Sequence, residues 1–289
     1  MTTPLLPRSP APPTLPARET LFNRTFRKAK TLFDAWLANM TAYRAEIVIW
    51  MLAGAVPLIM MAVWIGKAQA GGGTVGGLDA REFAAYFLAA WLAQQSTVSW
   101  VAWELDMDIR QGNLSPKLLR PLDPFWEFLM QHLTERFVRV PLVIGLVLIG
   151  LLLAPTGTVL TPGLEAALLF MLSVTLAFLI RFMIDYCIGV LAFWTEQALA
   201  FDETYFILAT FLAGGFAPLE LFPTAVRNFV EWTPFPYVVY YPAKILTGQL
   251  PASDIARVFA VQLAWVLGLV LLRQVMWRVG LKKYGAVGA

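Results

Sequence analysis

The sequence predicts an all-α integral membrane protein with six transmembrane helices. Charged residues make up only 14% of the 289-residue chain against 58% hydrophobic, and the mean hydropathy is +0.65. A soluble domain carries roughly 25% charged residues. Apolar segments recur at about 20 residues, the length a helix needs to cross a hydrocarbon core about 30 Å thick. The 11 Trp, 20 Phe and 8 Tyr suit the two membrane interfaces, where amphipathic rings settle.

Residues 1 to 18 hold six prolines and no apolar run, which predicts a disordered tail and not a signal peptide. Residues 19 to 289 read as a single transmembrane domain. Over 22 to 40, Phe22, Phe26, Ala29, Phe33, Trp36, Leu37 and Met40 recur at helical spacing, with Arg24, Arg27, Lys28 and Lys30 mostly off that stripe. This predicts an amphipathic helix lying flat at a membrane surface.

The spans are expected at about 46–66, 83–103, 137–154, 165–194, 199–216 and 255–276. An even number puts both termini on one side. Sixteen cations fall on that side: Arg8, Arg18, Arg24, Arg27, Lys28, Lys30 and Arg44; Arg110, Lys117, Arg120, Arg136 and Arg139; Arg273, Arg278, Lys282 and Lys283. Five fall opposite, Lys67, Arg81, Arg227, Lys244 and Arg257. Positive charge stays in the cytoplasm, so both termini and the loop between the second and third spans are expected there. The stretch from Gly214 to Pro251 is too apolar for a solvated loop and too broken by Pro and Gly for a plain span. A re-entrant helical hairpin in the outer leaflet, over about 217 to 250, fits it.

The cytoplasmic loop "GNLSPKLLRPLDP", residues 112 to 124, is stiff and basic. A helical segment closed by Gly112 precedes it, and Pro116 can open a new turn. Leu118 and Leu119 are apolar on an otherwise polar loop. Such an element is a poor swivel and a good lever, yet nothing in the chain can push it. There is no G-x-x-x-x-G-K-[ST] motif; the only Gly-Lys pair, Gly66-Lys67, has Met61 where the first glycine would stand.

The stretch resembles the Gly-x-Leu-Ser-Pro-x-Leu-Leu-Arg-Pro-Leu-x-Pro signature of bacterial ABC type-2 permeases, the membrane subunits of ABC exporters. "LAFWTE" at 191 to 196, "GGFAPLELFP" at 214 to 223 and "PFPYVVYYPAKILTGQ" from Pro234 are similar to further segments of that family, and the likeness runs from about residue 20 to 284. The resemblance implies an N-terminal elbow helix over 22–40, six spans, a cytoplasmic coupling helix and the re-entrant hairpin before the last span. It implies a permease in the bacterial cytoplasmic (inner) membrane, among membrane lipids. That permease pairs with a second one, identical or homologous, and docks on two copies of a separate ATP-binding subunit. It implies that Asp106, Asp108, Arg110, Gly112, Leu114, Ser115, Pro116, Leu118, Leu119, Arg120 and Pro121 form the ATPase-facing surface. ATP and Mg belong to the partner, with no cofactor and no catalytic residue in this chain. The implied substrates are lipids, glycolipids, peptides or drugs.

Charges inside the spans need partners or water. Arg181 and Asp185 lie four apart on one helix face. A structural ion pair is the favoured reading, ahead of gating or substrate contact. The second span carries Gln94, Gln95, Ser96, Thr97 and Ser99, which either bond neighbouring helices or line a substrate path. Gly214 and Gly215 permit close backbone approach where the hairpin begins, and with Gln94, Gln95, Ser96 and Ser99 they form the possible substrate path. Glu196, Asp202 and Glu203 are expected at the inner mouth, there to pair with elbow-helix cations or to draw in a cationic substrate.

Cys187, the single cysteine, reads as a buried small hydrophobe. His132, the single histidine, has no second His or Cys to form a metal site, and no nucleic-acid partner is expected. A stand-alone secondary transporter would call for inverted repeats with paired broken helices, and a membrane-embedded lipid-modifying enzyme for a cluster of His and acids. Neither signal is present.

Overall fold

The computed structural model describes residues 21–42, 44–160 and 163–284; the expected tail at 1–18 lies outside the described residues. The helices are α1 (Leu21–Ala42), α2 (Arg44–Ala53), α3 (Val56–Ala70), α4 (Ala80–Ser96), α5 (Val101–Arg110), α6 (Leu114–Leu118), α7 (Pro124–Leu153), α8 (Leu164–Val190), α9 (Ala198–Leu212), α10 (Thr224–Val230), α11 (Tyr240–Leu246) and α12 (Ala252–Leu281). Short 3-10 turns occupy Leu191–Phe193, Leu219–Leu221 and Phe235–Tyr237. The protein is a mostly helical membrane protein. Among the described residues four helical runs are long and apolar enough to cross a bilayer: Ile47–Ala70, Pro124–Leu153, Leu164–Phe193 and Ala252–Leu281. The remaining apolar helices, α4 with 17 residues and α9 with 15, are shorter.

The all-α expectation needs one small addition. Thr74–Val75 and Leu78–Asp79 pair antiparallel around a tight Gly76-Gly77 turn in which both glycines have positive φ, the hairpin turn that matches strand twist. Asp79 then opens α4 with a capping box. Its carboxylate accepts from the Arg81 and Glu82 amides, and Glu82 accepts from the Asp79 amide at 2.8 Å.

Helix α4 is the centre of the fold. All but four of its residues are buried, and it packs on α3, α7 and α11. Helix α8 is the second axis, packed on α5, α9, α11 and α12. Helix α1 lies along α7, with Phe33 edge-on to Phe137 at 5.6 Å. The region expected as a hairpin, 217–250, holds α10, α11 and two of the 3-10 turns. Gln262 of α12 holds it: Nε2 donates to the Tyr237 carbonyl at 2.9 Å and to the Ser173 carbonyl at 3.1 Å.

Two expected spans are broken. Pro57 has no N–H to give the helix and its ring crowds the preceding turn, so the first run is interrupted at residues 54–55. The second expected span, 83–103, is interrupted at 97–100, where α4 ends and α5 begins. The third begins earlier than its apolar stretch. Asp123 caps α7 and Pro124 stands at its first position, so the helix runs from 124 where 137 was expected.

Candidate functional site

Between α5 and α7 the chain turns twice within thirteen residues. Gly112 has φ +77, a left-handed conformation that any side chain would disfavour, and it directs the chain from α5 into α6. The turn is then tied down on several sides. Lys117 Nζ lies 2.7 Å from Asp108 Oδ2 on α5 and 4.4 Å over the Phe128 ring on α7. Arg120 Nη1 donates to Glu127 Oε2 at 3.1 Å. The Ser115 and Tyr284 hydroxyls are 3.0 Å apart, which links the turn to the end of α12. Arg273 of α12 reaches Asp123 at 3.1 Å and stacks over Phe125 at 4.4 Å. Arg110 bonds the Glu196 carbonyl and, at 2.9 Å, Asp106.

The residues expected to face a partner divide into three sets, with Arg110 exposed and Gly112 half-buried. Pro116, Leu118, Leu119, Arg120 and Pro121 are exposed, with Leu119 at 88%. Asp106 and Leu114 turn inward and are buried, so they hold the turn in place without presenting a surface. Asp108 and Ser115 are half-buried and engaged by Lys117 and Tyr284.

A family model for ABC-2 family transporter proteins matches residues 70–288. The chain belongs to the ABC-2 transporter family. The match takes in the turn, helices α4 to α9 and all of the hairpin. In this family the membrane domain is the permease component of an ABC transporter and is not itself catalytic, and the family implies association with an ATP-binding subunit. No curated protein matches the chain.

The chain forms a partly open cavity of about 550 Å³ between α2, α3, the α4–α5 break, α7, α8, α9 and the Phe235–Tyr237 turn. Gln94, Gln95, Ser99 and Gly215 line it, as do Arg181 and the acids Asp202 and Glu203. Ser96 and Gly214 do not. Ser96 Oγ bonds back to the Leu92 carbonyl at 2.7 Å. The Gly214 carbonyl accepts from Tyr86 Oη at 2.8 Å, and Gly214 has φ +93 with its Cα so near Tyr86 that an added Cβ would lie 2.5 Å from that hydroxyl.

Arg181 Nε donates to Asp185 Oδ2 at 2.8 Å, with the carboxylate side chain 1% exposed. The guanidinium also sits 4.7 Å over the Tyr205 ring. Arg181 therefore reaches the cavity wall already neutralised from behind.

Arg139 is a cavity residue that the sequence reading did not single out. It was expected among the cytoplasmic cations at the start of the third span. The structure buries it to 2% exposure in the cavity wall, bonded to Glu135 and, at 3.2 Å, to Gln95 Oε1. The i,i+4 spacing of Glu135 and Arg139, the same as that of Arg181 and Asp185, is the signal that finds it. The polar residues of the second span both bond a neighbouring helix and line the cavity. Gln95 Nε2 donates to the Met51 carbonyl at 3.0 Å, satisfying the broken end of α2, while its oxygen faces Arg139. Trp91 Nε1 does the same for the Gly54 carbonyl at 3.1 Å. His132 holds the second break: its Nδ1 bonds the Phe128 carbonyl at 2.8 Å, leaving Nε2 to accept from the Trp100 amide at 3.0 Å. Both ring nitrogens are thereby used. Among the described residues no group of His, Cys, Asp and Glu could hold a metal ion.

Proposed function

We propose that this chain is the transmembrane permease subunit of an ABC exporter, driven by ATP hydrolysis on a separate ATPase subunit. The observation that carries the reading is the turn at 114–121, which is exposed at its tip and braced at its base by ion pairs to both α5 and α7. A push on Leu118, Leu119 and Arg120 moves the turn as a unit and displaces α7, which carries Arg139 in the cavity wall, and α5, which follows directly from the 97–100 break that lines the cavity. The complete transporter holds two permeases, identical or homologous, and two ATPase copies that bind ATP and Mg. It lies in the bacterial cytoplasmic membrane with both permease termini in the cytoplasm. The exposed apolar faces of α3 and α9, with Ile59, Val63, Phe206, Ile207 and Phe211, support a second permease that completes the cavity wall. The mixed apolar and charged lining suits an amphiphile of lipid, glycan, peptide or drug-like type.

Purification of the complex tests this. Leu119→Asp removes no contact within the chain and should release the ATPase while leaving permease levels normal. Arg120→Glu should do so too, though it also breaks the pair with Glu127. Pro116→Gly should leave assembly intact and uncouple hydrolysis from transport, because it loosens the lever without removing an anchor. An ATPase that stays bound and transports at the normal rate in Leu119→Asp would reduce the turn to a connector.

A further inference from the structure

We infer that the cavity selects an amphiphilic organic cation. This rests on the permease reading and names the substrate class of the same cavity. Four charged side chains line it, Arg139, Arg181, Asp202 and Glu203. The two guanidiniums are each held by a carboxylate on their own helix, Glu135 and Asp185. Asp202 and Glu203 have no such direct contact: among the described residues neither carboxylate forms a salt bridge or a side-chain hydrogen bond, Asp202 feels the Arg181 charge only through space, and Glu203 is exposed. The four lining charges and the two carboxylates that hold the guanidiniums make four acids against two bases, an excess of negative charge at the wall.

The walls fit the rest of such a molecule. Trp50 and Trp100 line the cavity with ring centroids 5.2 Å apart and remain 48% and 38% exposed. Indole faces attract cations best when those cations are poorly hydrated, as a charge spread over an organic body is. Val56, Pro57, Ile207, Val238 and Val239 supply apolar surface for that body. A small hydrated metal ion would gain little here, since the wall offers too few oxygens to replace its water shell. An anionic amphiphile would meet guanidiniums whose charge is already matched and carboxylates that repel it.

Tetraphenylphosphonium and tetraphenylborate, alike in shape and opposite in charge, test the inference. Binding to the purified permease in uncharged micelles is measured by equilibrium dialysis, with protein-free micelles subtracted. The phosphonium should bind roughly ten-fold or more tighter than the borate. The double change Asp202→Asn with Glu203→Gln should weaken the phosphonium by roughly ten-fold, equivalent to about 1.4 kcal/mol. Glu203→Gln, at an exposed position, should move in the same direction with the melting temperature unchanged. Equal binding of the two ions, an unchanged phosphonium affinity in the double variant, or no effect of Glu203→Gln would each overturn the inference. The measurement needs no ATPase. Charge-selective binding by a permease that associates with no ATPase would remove the transporter reading and keep the site. Loss of selectivity in a permease that does bind an ATPase would remove the site alone.

Discussion

Lys117 on α6 reaches back across Gly112 to place its ammonium 2.7 Å from the Asp108 carboxylate on α5. Both side chains are largely shielded, at 19% and 15% exposure, so the pair is screened less than a surface bridge. It converts a turn that could flex about Gly112 into a rigid extension of α5.

Lys117→Met should therefore destabilise the protein by about 1 to 3 kcal/mol, because it leaves Asp108 half-buried without its cation. Adding Asp108→Asn should return part of that loss. Thermal unfolding of the detergent-purified variants at one scan rate measures both. Strictly additive losses would mean that the two residues act separately.

The Arg181–Asp185 pair is more deeply buried, and removing one member should cost more. Asp185→Asn strands a guanidinium and should cost about 3 kcal/mol or more. Combining it with Arg181→Gln should recover much of this, since no isolated charge then remains. A double variant as unstable as the worse single would show that each side chain has a separate partner that matters more.

His132→Phe should open the second span locally. It removes the acceptor from the Trp100 amide, at a cost of about 1 to 3 kcal/mol for an unsatisfied buried donor. Native-state hydrogen exchange should show faster exchange at residues 97–101 with the rest of α4 unchanged. Unaltered exchange there would mean that water substitutes for the imidazole.

Cysteine labelling tests the orientation. Cys187 is buried, which keeps the background low. Cysteines at the exposed positions Thr74 and Ser253 should react with an impermeant reagent from outside, and one at Leu119 only after permeabilisation. External labelling at position 119 would invert the topology.

The membrane class was legible because it depends on composition, and the long helices were legible because it takes only an apolar run of sufficient length to mark them. The spacing of Arg181 and Asp185 likewise suffices to put the two on one helix face. The interruptions were not. Pro57 at 57 marks the first break locally, but the second, at 97–100, carries no proline or glycine. There His132, from a different helix, accepts from the Trp100 amide that the break exposes.

Arg139 shows where sequence reasoning ends. Beside an apolar run, an arginine reads as an interfacial cation, and the positive-inside rule counts it so. The helix in fact begins at Pro124, which puts Arg139 about 22 Å along it at 1.5 Å per residue. Composition and helical spacing by themselves determined a helical membrane protein with a stiff basic turn and charges at membrane depth. Only the tertiary structure decided which of those charges are matched, which face the cavity and which hold broken helix ends. The physical reason is that a polar group at that depth must find its partner on whichever helix packs beside it, and no local pattern records which helix that is.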